Sequence, residues 1–346
     1  MLAYFVILSL VMLVVLIERY SINRKAFLLP LIFLVIFSTI RSEEVGADTK
    51  NYTLNFKENF SIEYYNLIDG IELGYQALEY TILFFTKEYF WLFFITSLIV
   101  VFSYLYILKK YSVNYTISIF TFICFGYYTF FFNGLRQGLA MAISSFAIIF
   151  LINREVFKYL LVIVFASFFH KSALILAPFY FIVNYNLKFL YKALILFFVS
   201  VIFSPVFINI LSSSNERYSS YSSQSENSGG YLTLTFYFLI GLISYIFVFC
   251  RRNRDYVFDI IFQLYFLGIL FIIPIAMMGA SASGPQRLIF YFSWLSCLVI
   301  PYIFNTVKNK HLLFCYSIFC IIYFYLTTTR FSLLVPYSLN DLFRIF

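Results

Sequence analysis

The sequence has very little charge. Only 12% of its 346 residues are Asp, Glu, Lys or Arg, whereas 62% are hydrophobic and 23% aromatic, and mean hydropathy is +0.89. A water-soluble domain carries about 25% charge, so that class is excluded. Disorder is excluded for the same reason, because it requires low hydrophobicity. There is too much apolar surface for one water-facing core, and the solvent must largely be lipid. Histidine is nearly absent: His170 and His311 are the only two, too few and too far apart for a zinc site. The five cysteines, Cys124, Cys250, Cys297, Cys315 and Cys320, sit in or beside apolar segments. They form no metal or disulfide spacing and read as small buried hydrophobes.

Several catalytic signatures are missing as well. No Walker-type Gly-Lys-Ser/Thr loop is present, so ATP is not the driver. No D-x-D pair, HExxH run or GxSxG elbow is found, and no internal repeat or soluble domain. No cofactor or metal is called for. The formal net charge is +8, yet no basic face survives between the apolar runs, so nucleic acid is not a partner.

What the chain has is apolar segments. A helix needs ~20 apolar residues to cross ~30 Å of hydrocarbon. Twelve candidates stand at 2–17, 26–40, 89–108, 115–132, 137–152, 156–169, 172–184, 192–210, 231–250, 256–279, 288–304 and 312–328. The first lacks a basic leader and a small-residue cleavage site, and reads as a membrane helix rather than a signal peptide. The expected fold is an all-α polytopic membrane protein of about twelve transmembrane segments, a single integral-membrane domain over 1–346. Two connections are long. Residues 41–88 form an outer loop in which Tyr64, Leu67, Ile68, Ile71, Tyr75, Leu78 and Ile82 recur at helical spacing, which predicts one or two amphipathic helices. Residues 211–230, rich in Ser, Asn and Gly, read as a flexible outer loop.

Orientation follows from Lys and Arg. Alternate loops on one side gather Arg19, Arg24, Lys25, Lys109, Lys110, Arg154, Lys158, Lys188, Lys192, Arg251, Arg252, Arg254, Lys308 and Lys310, for a net +10 against −2 on the other side. The basic side is cytoplasmic by the positive-inside rule, and both termini are expected outside. That parity requires 156–184 to be two short segments broken at His170-Lys171-Ser172, since one long helix would put Arg251, Arg252 and Arg254 outside. A similar break is expected at Asn133-Gly134-Leu135-Arg136-Gln137-Gly138.

With this topology Arg41, Asp48, Glu72, Arg136, Gln137, His170, Arg287 and Arg330 gather on the outer side. An Arg within a bilayer costs roughly 2.5–3.5 kcal/mol on insertion scales, so such residues face a wet cavity or hold an anion. The guanidinium fork suits phosphate or pyrophosphate. Arg136 and Arg287 are the stronger candidates, because Gly134, Gly138 and Gly284 allow close backbone approach; Arg330 at a segment end fits snorkelling. His170 can take a proton from a sugar hydroxyl. Asp48 and Glu72 are rival general bases.

These residues lie in runs that resemble the EpsG family, Wzy-type polymerases of exopolysaccharide and O-antigen. Arg41-Ser-Glu-Glu-Val-Gly-Ala-Asp48, followed by Tyr52, resembles its R…vGtD…Y signature, with Ala47 where the family often has Thr. Glu72-Leu-Gly-Tyr75-Gln-Ala-Leu78 resembles E-x-G-F/Y-x-x-L. Leu135-Arg136-Gln137-Gly-Leu-Ala140 resembles R-Q-x-L-A, Phe169-His170-Lys-Ser172-Ala-Leu174 resembles F-H-x-S-A-L, and Arg287-Leu-Ile-Phe-Tyr291-Phe292 resembles R-x-x-x-Y-F. Together they cover roughly 38–302. The resemblance implies a glycosyltransferase of GT-C-like architecture in the bacterial inner membrane, its site facing the periplasm. It implies undecaprenyl-pyrophosphate-linked oligosaccharide as substrate, and a chain-length regulator protein as a partner. In that setting Arg136, Arg287 and Arg41 are expected on the pyrophosphate, and His170 or Asp48 is expected as general base. Gln137, Glu72, Tyr52, Tyr291 and Arg330 are expected on sugars. A flippase of the same lipid-linked glycan and a membrane O-acyltransferase are the rival classes. The flippase should show related halves, and the acyltransferase an acyl donor reached from the cytoplasm.

Overall fold

The computed structural model describes residues 1–57, 67–214, 230–250, 255–277 and 285–343, and its regular structure is helical. In chain order the helices begin with α1 (Leu2–Ser21), α2 (Leu28–Thr39), α3 (Thr49–Lys57), α4 (Leu73–Phe85), α5 (Tyr89–Tyr111) and α6 (Tyr115–Cys124). Then come α7 (Phe130–Asn133), α8 (Leu135–Ser145), α9 (Ala147–Ile152), α10 (Val156–Ser167), α11 (Phe179–Asn184) and α12 (Phe189–Ser214). The last are α13 (Gly230–Ser244), α14 (Tyr256–Met277), α15 (Phe290–Ser293), α16 (Ser296–Val307) and α17 (Lys310–Leu326).

Among the described residues six helical stretches are long and apolar enough to cross a membrane: Leu2–Ser21, Tyr89–Tyr111, Leu135–Ile152, Tyr231–Phe249, Tyr256–Ala276 and Lys310–Arg330. The pair Arg287–Ser293 and Ser296–Val307, bent by 44°, makes a seventh if it is one span. Four of the five remaining apolar segments are helical over only 10–17 residues, short of a full crossing; in the fifth, α12, the apolar part is Phe189–Pro205. Twelve crossings are therefore not established by length. Local sequence shows why several segments are cut short. Gly126, at φ +78, ends the helix that Tyr115 opens, and Gly134 interrupts the next turn. After α10 the chain breaks at His170, with a six-residue 3-10 helix over Lys171–Leu176 before α11; a single helix over 156–184 is not formed. Prolines 205, 274 and 301 stand inside α12, α14 and α16, which packed membrane helices tolerate.

The chain forms two compact units. The first comprises Met1–Ala147, Leu160–Leu174 and Lys308–Phe346. Its spine is α5, packed on α2 and α8, with Leu92, Phe93, Val100, Val101 and Leu108 buried. Lys109 and Lys110 close α5, where cations complement the helix dipole. At Gly138 a Cβ would collide with Phe131, so the α7–α8 corner requires glycine there. Downstream of α17 the chain returns to α2: Ser42 N–H bonds Ser338 O at 2.8 Å and Asn340 N–H bonds Ile40 O at 2.8 Å. Tyr337 stacks on Phe37 with ring centroids 4.4 Å apart.

The second unit comprises Ile148–Tyr159 and Ile175–Val307. There α14 packs against α12 and α13 through the rings of Phe189, Phe249, Phe262 and Phe266. The buried Lys192 ammonium donates to Val183 O at 2.7 Å and Gln263 Oε1 at 2.8 Å.

Among the described residues the stretch 41–88 holds two helices, α3 and α4. Helical spacing from Tyr64 onward predicts an earlier start than α4 has. Leu67 and Ile68 are not helical, Gly70 takes φ +84, and Tyr64 lies outside the described residues. The loop 211–230 falls almost wholly outside them; α12 runs on to Ser214.

Candidate functional site

The site is built on the first turn of α4. Residues 68–71 do not continue as helix because Gln76 folds them back. Its Oε1 accepts from Ile68 N–H at 2.8 Å, and its Nε2 donates to Ile68 O at 3.1 Å and Ile71 O at 2.8 Å. Glu72 is thereby fixed as the N-cap residue of α4, in extended conformation. Its side chain does not cap the helix; it turns to two other parts of the chain.

Glu72 Oε2 accepts from Arg136 Nη1 at 2.6 Å, and Glu72 Oε1 lies 2.6 Å from His170 Nδ1. The N–H of Lys171 adds a longer bond to the same Oε1, 3.3 Å. Arg136 is the second residue of α8, placed there by the Gly134 interruption. His170 sits in the break after α10. That break is tied to α4 through the backbone: Gly74 N–H donates to Phe168 O at 2.8 Å. A Cβ at Gly74 would lie 2.7 Å from that oxygen, so the E-x-G spacing supplies both the carboxylate and the close approach that aims it. The three side chains are largely buried, at 8% exposure for Glu72, 20% for Arg136 and 17% for His170. Burial alone would raise the Glu72 pKa. The hydrogen bond and charge of His170, with the charge of Arg136, outweigh burial and hold it at about 2. Glu72 is an anion at any physiological pH.

Two tyrosines border the cluster. Tyr52 of α3 meets Tyr75 of α4 edge to face, centroids 6.1 Å apart, and both lie close enough to Arg136 to feel its charge. Gln137 is buried one residue on. Asp48 stands, half-buried, in the turn before α3. That turn is anchored to the arginine's approach, since Ala47 N–H donates to Asn133 Oδ1 at 2.8 Å and Thr49 Oγ1 donates to Phe132 O at 3.0 Å. Only the backbone of residue 47 is used in that bond, which explains why Ala serves where Thr is common. Gly46 takes φ +110 and has Asn133 Oδ1 where a Cβ would sit.

Arg41 is fully enclosed, at 0% exposure. Its guanidinium carbon lies 4.0 Å from the ring centroids of both Phe93 and Phe132, and its Nη1 donates to Ser38 O. Its Nε and Nη2 have no hydrogen-bond partner among the described residues. Burial pulls its pKa down to about 10, so it keeps its proton. With these rings against its guanidinium, Arg41 joins α2 to the core. Arg287 and Tyr291 belong to the second unit, Arg287 half-buried on a short 3-10 helix (Pro285–Ile289) and Tyr291 fully buried on α15. Arg330 is exposed at the end of α17. Among the described residues no three His, Cys, Asp or Glu side chains converge on a point that could hold a metal.

Glu72, expected on a sugar, has both carboxylate oxygens engaged by protein. Its place two residues before Gly74 at a helix start was the available signal. Gln76 was missed entirely, and so was Glu79, a carboxylate two turns along α4 that is only 4% exposed.

Apolar helices around a buried carboxylate that pairs with both an arginine and a histidine define a polytopic membrane protein with a protein-lined polar centre. The chain belongs to the EpsG family, whose model matches residues 24–339. That membership supports a role of the polysaccharide-polymerase type. No curated protein and no solved structure matches the chain.

Proposed function

We propose that this protein is a glycosyltransferase that lengthens polysaccharide at the outer face of the bacterial cytoplasmic membrane. Its donor is a glycan on undecaprenyl pyrophosphate, and its acceptor is the non-reducing-end sugar of a second lipid-linked unit. The observation that carries this reading is the single carboxylate, Glu72, shared by His170 and Arg136.

With Nδ1 held by Glu72, the His170 ring has a fixed orientation and tautomer, and Nε2 is the atom left to take a proton. The acceptor hydroxyl attacks the donor's anomeric carbon while Nε2 removes its proton. A new C–O bond forms, and the anomeric C–O bond to pyrophosphate breaks with its electron pair leaving on oxygen. Arg136, gripped by Glu72 through Nη1, has further guanidinium N–H groups for those oxygens, where a preorganised cation stabilises the departing charge. General base catalysis of this kind contributes roughly 10²–10⁴-fold, and alignment of the two substrates up to about 7–11 kcal/mol. Tyr52 and Gln137 are the candidates for holding sugars beside the cluster. Asp48 is the alternative base, on the turn that Asn133 anchors.

The test is reconstitution of the purified protein in vesicles with lipid-linked repeat units. A polymerase yields glycans of two or more units, and His170→Ala and Glu72→Gln yield none at equal protein. Altered sidedness of the lipid-linked unit without lengthening supports a flippase and overturns the proposal.

A further inference from the structure

A hollow of about 450 Å³ opens on the first unit, away from the cluster at Glu72. Phe56 of α3 and Tyr89 at the start of α5, both largely buried, line its base. Lys87, Glu88 and Asp341, all exposed, stand at its rim. Asn340, only 2% exposed, also lines it. Its Oδ1 accepts from Leu342 N–H at 3.1 Å, while its Nδ2 has no hydrogen-bond partner among the described residues. A buried amide donor left without an acceptor is unfavourable.

The chemistry of the lining selects the ligand. One cation and two anions give the rim a net negative charge, which disfavours phosphate, pyrophosphate and anionic headgroups. Hydroxyl groups donate and accept, so they can serve carboxylate, ammonium and amide together. Ring surfaces at the base suit the apolar face of a pyranose. The volume falls within the ~300–1,000 Å³ of small-ligand sites. Helix α4 has 13 residues and so runs for about 20 Å between Glu72 and the segment bearing Lys87. A sugar in the hollow is therefore not the sugar that reacts.

We propose that this hollow is a saccharide subsite that holds a neutral, hydroxyl-rich part of the growing glycan remote from the reacting end, with Asn340 Nδ2 donating to a ring or hydroxyl oxygen. The proposal rests on the polymerase reading and adds to it a determinant of chain length.

The experiment uses the full-length protein in nanodiscs. The probe is glycan fragments of one and two repeat units, released from the producing cell's own surface polysaccharide and free of lipid and pyrophosphate. Binding is followed by saturation-transfer NMR and calorimetry. The expected result is that the fragments bind wild type and His170→Ala alike. The triple variant Lys87→Ala, Glu88→Ala, Asp341→Ala should bind them at least tenfold more weakly at an unchanged melting temperature, and should make shorter polymer in cells. Fragments that fail to bind wild type, or that bind the triple variant equally tightly, overturn the subsite. Normal polymer from His170→Ala overturns the polymerase mechanism instead, so the two failures are distinguishable.

Discussion

Glu72 Oε1 stands 2.6 Å from His170 Nδ1, a hydrogen bond between residues 98 positions apart. The same carboxylate reaches Arg136, 64 positions away, at 2.6 Å. One side chain therefore sets the position of both a base and a cation.

Acid should loosen this joint. Glu72 has a folded pKa of about 2, below its ordinary value of 4.5, so the stability it contributes is complete above about pH 4.5. That stability is lost as pH falls towards 2, and its full size is on the order of 3 kcal/mol. Thermal unfolding in detergent between pH 2 and 6 should show wild type losing more stability than Glu72→Gln across that window. Parallel curves would mean that Glu72 is not held as described.

Arg136→Lys keeps the charge and loses the fork. A lysine ammonium can pair with Glu72 or reach the leaving group, but it lacks the planar set of donors that serves both. Glycan transfer should fall by roughly 10–100-fold, with the protein still folded. Full activity in the lysine variant would reduce the role of Arg136 to charge alone.

Gly74→Ala probes the backbone link. Within a helix alanine is ordinarily better than glycine by about 0.5–1 kcal/mol. Here its Cβ would meet Phe168 O at 2.7 Å, pushing α4 off the His170 break. Helix content by circular dichroism should be unchanged and transfer should drop at least tenfold. An active, more stable variant would show that the approach of α4 to the break does not matter.

Arg41→Lys should lower stability rather than alter substrate affinity. The guanidinium lies against Phe93 and Phe132, and a desolvated cation–π contact is worth about 2 kcal/mol. The expected loss in chemical denaturation is on the order of 2–4 kcal/mol, with KM for the lipid-linked donor unchanged in the folded fraction. A raised KM at wild-type stability would return Arg41 to the substrate.

Hydropathy made the helical segments legible, and charge parity made the break at His170 legible, because both depend on local composition. Motif spacing picked out Glu72, Arg136 and His170 individually. Their union was not legible, since it depends on Gln76 folding residues 68–71 back and on Gly74 meeting Phe168 O. The first is a local side-chain-to-backbone clasp and the second a tertiary contact, and neither leaves a periodic trace. Arg41 shows the opposite failure. A cation beside an apolar segment suggests a ligand site, yet in a chain with 23% aromatic residues it can be enclosed by rings. Residues 338–340 pairing with residues 40–42 likewise come from nearly 300 positions away. Segment length was the weakest inference: glycines at 126 and 134 end helices that composition alone would extend.

Chemical rescue tests the central claim most directly. Single-turnover transfer between two lipid-linked units should be lost in His170→Ala and partly restored by added imidazole, with Glu72→Gln not restored. Wild-type transfer by His170→Ala in the absence of imidazole would contradict the account.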